Sequence, residues 1–158
     1  MFLDIFLILI FAKFASFSNL FFAASADAVT ASADGTFQDS ISGFETLKLG
    51  ALTDNRAVNL DLLDDINTIS IAGGASTLTV TNAATGYDLT VTAAMAGSGG
   101  TTSSMAVDGL ADTANLTITA AATLVAGAHT FTGFETVNLT SDDTGLVVDG
   151  AVVHTATV

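Results

Sequence analysis

Residues 41–49 read ISGFETLKL, and residues 131–139 read FTGFETVNL. Five positions are identical across an interval of ninety residues: Gly43/Gly133, Phe44/Phe134, Glu45/Glu135, Thr46/Thr136 and Leu49/Leu139. A glycine that permits a bend, followed by alternating apolar and polar residues, describes a turn leading into a strand with one buried face. Its return in the same chain predicts a stacked architecture in which each unit completes its core against its neighbours.

The same period-2 alternation continues on both sides of these copies. Apolar pairs flanking one outward residue occur at Leu47/Leu49, Val58/Leu60, Ile69/Ile71, Leu78/Val80, Leu89/Val91, Met105/Val107, Leu116/Ile118 and Val137/Leu139. The longest gap between successive pairs, from Leu116 to Val137, is halved by a weaker strand near Leu124. The resulting beat of about eleven residues leaves room for a short strand and a short turn, which suits the two-strand or three-strand coils of a solenoid and also the hairpins of a sandwich. Threonines at outward positions (Thr77, Thr79 and Thr81; Thr90 and Thr92; Thr117 and Thr119) would stack as ladders between coils. We therefore expect an all-β chain, a β-solenoid (β-helix) of short strands over residues 41–158 preceded by an N-terminal hydrophobic helix. A β-sandwich is the alternative, with Asp108-Gly109 and Asp149-Gly150 as hairpin turns.

Composition narrows the function classes. Half of the 158 residues are apolar, enough for one sizeable core. Sixteen acidic residues face only Lys13, Lys48 and Arg56, for a net charge of −13. Binding to nucleic acid needs clustered cations that displace counterions, so that class is excluded. Cysteine is absent, which removes disulfides, thiol catalysis and zinc–thiolate sites.

Residues 1–26 are crowded with Phe, Leu and Ile and end in Ala24-Ser25-Ala26 before Asp27, the small-x-small pattern of an export leader. A membrane anchor and a misplaced start are the alternatives, since Asp4 occupies the normally basic n-region and Lys13 interrupts the apolar run. Residues 27–40 are small and polar and read as a flexible lead-in. The chain stops inside the strand pattern HTATV, as a piece of a longer protein would.

Candidate metal ligands are Asp61, Asp64 and Asp65 in NLDLLDD, and Asp142 and Asp143 in TSDD, where loops at strand ends could converge carboxylates on Ca²⁺. The rival role for each aspartate is to cap a turn. Glu45 and Glu135 follow the Gly-Phe bend and are suited either to a cation or to capping the backbone amides of an adjacent coil, and we expect capping. Phe44 and Phe134 are expected to fill one interior column. His129 and His154 read as ordinary strand-end residues, and the run from Gly97 to Ser104 as an excursion between coils that lacks the Lys of a phosphate loop. No catalytic motif is present, so the chain reads as non-enzymatic, with no catalytic residues and no organic cofactor site.

The segments GFETLKL, GFETVNL, NTISIAGG, STLTVTNAATGYDLTVTAA and ANLTITAAA resemble the repeat regions of bacterial S-layer proteins and RTX-like surface adhesins. The resemblance covers roughly residues 36–158, although the glycine-rich calcium nonapeptides of those families are missing. It implies a calcium-stabilised β-solenoid with a structural role at the cell surface, extracellular, in a surface layer or adhesin stalk. The partners it implies are like subunits, further coils of the same protein, or a surface glycan. A carbohydrate-binding or carbohydrate-active β-helix is the alternative.

Overall fold

The computed structural model of the chain describes residues 19–22, 43–63, 66–97, 99–120, 124–143 and 148–155. Among them lie eleven strands: β1 (Asn19–Phe22), β2 (Thr46–Leu49), β3 (Arg56–Asn59), β4 (Thr68–Ile71), β5 (Thr77–Ala83), β6 (Tyr87–Val91), β7 (Gly100–Met105), β8 (Thr113–Ala120), β9 (Leu124–Thr132), β10 (Thr136–Asp143) and β11 (Val148–Thr155). A 3-10 turn, Leu60–Leu62, follows β3.

From β2 onward successive strands alternate between two sheets, ordered β1-β2-β4-β6-β8-β10 and β11-β9-β7-β5-β3, and β1 lies beside β2 in the first. Every pairing between these strands is parallel. Hairpins yield antiparallel neighbours, so the sandwich alternative is set aside and the chain is a β-solenoid with two strands per coil. Asp108-Gly109 joins strands of different sheets, and Asp149-Gly150 marks a register irregularity inside β11. Of the expected N-terminal hydrophobic helix, residues 19–22 are described, and they form strand β1, paired with β2. The rest of that expectation, with the leader boundary and the lead-in, lies outside the described residues. Among the described residues no helix is long and apolar enough to cross a membrane.

The beat read from the sequence is half a coil, because consecutive strands from β2 onward belong to opposite sheets. Leu47 aligns with Ile69, Leu89, Leu116 and Leu139 through successive pairings. The first four are at most 1% exposed, an unbroken aliphatic column. Burial alternates along the strands as the pattern predicts, with every second residue of β2, β4 and β6 inside. Outward, Thr79, Thr102 and Thr130 stack in one ladder and Thr90, Thr117 and Thr140 in another. A third row carries directional amide bonds: Asn138 Nδ2 donates to Asn115 Oδ1 (2.9 Å), and Asn115 Nδ2 donates to Asp88 Oδ1 (2.7 Å).

Three expectations are corrected. Gly43 and Gly133 both adopt positive φ (86° and 81°), and Phe44 and Phe134 are both buried, yet they do not share a column. Stacking carries Leu47 to Leu139, whereas matching the two motif copies would carry it to Val137, so the second copy is offset by two positions. An even offset preserves the parity of the alternation, which is why the sequence conceals it, but in this copy only Val137 packs against the core and Leu139 is 56% exposed. Second, the strand expected at Met105/Val107 is β7, one register earlier; Val107 is 78% exposed in the loop beyond it. Third, His129 sits not at a strand end but inside β9, fully buried, with Nδ1 2.9 Å from Thr101 Oγ1.

These last two corrections share a cause: β7 turns Thr101 and Ser103 inward, so its alternation is polar on both faces. The interior there is completed by Tyr87, whose ring stacks 6.2 Å from Phe134, and by Phe131, edge-on to Phe134 at 6.1 Å. Ser103 Oγ donates to the Tyr87 hydroxyl at 3.4 Å. Burial pushes the Tyr87 phenol well above its usual 10.0; the Ser103 hydrogen bond opposes this in part, and the Asp88 charge adds to it. An acid whose folded pKa is raised stabilises the fold fully below its unfolded pKa, and that contribution is lost as pH rises beyond it. Thermal melts above about pH 10 should therefore show a decline that Tyr87→Phe removes, at the cost of about 1 kcal/mol from the lost hydroxyl pair. An identical alkaline decline in the variant would assign it to other groups.

Candidate metal site

Between β7 and β8 the chain leaves the stack as residues 106–112, AVDGLAD. Its root is held by the Ala106 N–H, which donates to the Ala83 carbonyl at 2.9 Å. Its end is held by Asp112, whose carbonyl accepts from the Glu135 and Thr136 N–H groups of the next coil at 2.9 and 3.1 Å. The tip carries Val107 and Leu110, 78% and 87% exposed.

The bend of the second GFET copy lies against this loop. A Cβ on Gly133 would sit 3.8 Å from Asp108 Cγ. Glu135 then reaches across: its Oε2 accepts the Asp112 N–H at 2.6 Å, so the expected capping of an adjacent coil holds for this copy. Glu45, its counterpart, is exposed. The Asp112 carboxylate turns back within its own loop, Oδ2 accepting the Gly109 N–H at 2.5 Å.

As a result one carboxylate oxygen from each of Asp108, Asp112 and Glu135 lies within 4.8 Å of the others, a grouping that could hold a metal ion. Asp108 is exposed and the other two are half-buried. The second oxygen of Glu135, Oε1, is shut off from solvent and has no hydrogen-bond partner.

None of the aspartates singled out by sequence belongs to this group. Asp61 is exposed in the 3-10 turn, where its N–H donates to Asn59 Oδ1 at 3.2 Å. Asp64 and Asp65 lie outside the described residues. Asp142 and Asp143 end β10, in register with Thr119 and Ala120.

No protein-family model, curated protein or solved structure matches the chain. The solenoid and the carboxylate group thus stand on their own geometry. The sequence signal for the group was a pair of aspartates, Asp108 and Asp112, around a glycine, joined to a glutamate one coil further along the chain.

Proposed function

We propose that this chain is a non-enzymatic structural protein of the bacterial cell surface, an extracellular element of a surface layer or adhesin stalk, stabilised by Ca²⁺ and assembled with like subunits. The observation that carries the reading is the outer face of the β3-β5-β7-β9 sheet. Among the residues of these four strands whose side chains are described, the outward Ala57, Asn59, Thr77, Thr79, Thr81, Thr102, Ser104, Ala128, Thr130 and Thr132 carry no charge. Like-charge repulsion opposes association of acidic copies everywhere except across an uncharged surface. The carbohydrate-binding rival calls for exposed rings, whereas the rings whose burial is described, Phe44, Tyr87, Phe131 and Phe134, are all buried.

Small-angle scattering and sedimentation of the full chain over a concentration series test this. The expected result is an elongated particle that assembles as concentration rises, and whose assembly is abolished by Thr102→Glu with an unchanged melting temperature. A compact monomer at every concentration, or assembly indifferent to Thr102→Glu, would remove the structural-lattice reading.

A further inference from the structure

We infer that the stack carries a head-to-tail joint: strand β1 of a second copy pairs in parallel with the edge strand β10, continuing the first sheet from one molecule into the next. The inference rests on the self-association proposed above and adds a second contact to it, at the ends of the stack rather than on the outer face.

Strand β10 is bonded to β8 on one side and has no strand on the other among the described residues. The edge leaves one large apolar residue uncovered. Leu139 ends the column that runs through Leu47, Ile69, Leu89 and Leu116, and it is 56% exposed where those four are at most 1%. An exposed sheet edge is a template for strand addition, in which main-chain bonds supply affinity and alternate side chains supply register.

Register selects the occupant. At the far edge of the same sheet, β1 places Asn19 in the row of Thr46, Thr68, Asp88, Asn115 and Asn138, and Leu20 in the column of Leu47 and Leu139. A copy carried along the axis until its β1 meets β10 therefore brings an asparagine to the row in which Asn138 is bonded to Asn115 and Asn115 to Asp88. It brings a leucine to the column that Leu139 leaves open. Every pairing between strands is parallel, so the joint repeats the contact already made between coils. Charge selects the same orientation. Lys48 and Arg56, the Lys and Arg of the described residues, lie on β2 and β3, whereas β10 and β11 carry Asp142, Asp143 and Asp149 and no Lys or Arg. Head against tail turns the cation-bearing end toward the acidic one, while tail against tail would set acid against acid.

A single strand edge is too small a contact to hold lone chains together, so the joint acts between copies already paired through the uncharged face, where several joints form at once. Face pairing alone gives small oligomers. The joint gives open-ended growth, because a heterologous contact repeated along one axis does not close.

Sedimentation of the full chain over a concentration series is the test, with Leu139→Asp and the milder Leu139→Ser as variants. Leu139 is 56% exposed, so both should fold, which thermal melts check. The wild type should keep growing as concentration rises. Leu139→Asp should stop at a discrete oligomer, and Leu139→Ser should need a higher concentration to reach the wild-type mass. Because Leu139→Asp retains β1, a substoichiometric amount added to wild type should cap growing ends and shorten the assemblies. Growth of Leu139→Asp equal to that of the wild type, or wild-type assemblies unchanged by the added variant, would overturn the joint and leave face pairing standing. A wild type that stays monomeric would overturn both.

Discussion

Phe134→Ala should destabilise the protein by about 3–5 kcal/mol, the scale of removing a buried phenyl ring whose surroundings cannot collapse into the space. Phe134 is fully buried and holds Tyr87 on one side and Phe131 on the other, at centroid separations of 6.2 and 6.1 Å. Its loss would leave Tyr87 without its stacking partner and the polar interior of β7 without its cover. In a chain of this length that corresponds to a fall of about 10 °C in melting temperature, readable by circular dichroism. Thr79→Ala, on the outward ladder, is the control and should stay within about 1 kcal/mol. If the two variants melted together, the ring cluster would not be the core of the stack.

The second large effect is expected at a corner. Gly74 has φ of 122°, and a Cβ there would lie 2.4 Å from both the Leu52 nitrogen and the Leu52 oxygen of the preceding coil. Both are backbone atoms fixed by stacking, since the Leu52 N–H donates to the Gly73 carbonyl and the Gly74 N–H donates to the Ala94 carbonyl of the following coil. Gly74→Ala therefore adds dihedral strain to a clash that only separating the coils relieves, together about 3–5 kcal/mol. Gly43→Ala separates the two contributions, because Gly43 also has positive φ (86°) but no atom within 4 Å of a built Cβ. It should cost about 1 kcal/mol, so equal losses at both glycines would show that close stacking at the corner is unimportant.

The coil was legible wherever its inward residues are aliphatic. Leu47/Leu49, Ile69/Ile71 and Leu89/Val91 alternate without interruption, and all six are buried at 2% exposure or less. Legibility failed where the interior turns polar. Thr101, Ser103 and His129 look like surface residues in sequence, and only Tyr87 and the neighbouring strands, brought in by stacking, account for their burial. The carboxylate group was hidden for a related reason. Runs such as Asp64-Asp65 and Asp142-Asp143 attract attention because their members are adjacent, whereas Asp112 and Glu135 are far apart in the chain and become neighbours through one turn of the coil. Sequence adjacency is a poor guide to charge clustering in a stack, because the nearest neighbour of a residue is one coil away.

The parallel arrangement of the strands has a mechanical consequence. Each strand lies across the long axis and its hydrogen bonds run along that axis, so tension applied between β1 and β11 loads the ladders in line rather than in shear. The outermost coil, bonded on one side only, yields before the coils beneath it. A coil contributes about 4.8 Å of height while folded, but its roughly 20–28 residues span roughly 70–95 Å once drawn out. Under load the protein would therefore lengthen in discrete steps, each giving up one coil and dissipating work while the remainder stays folded.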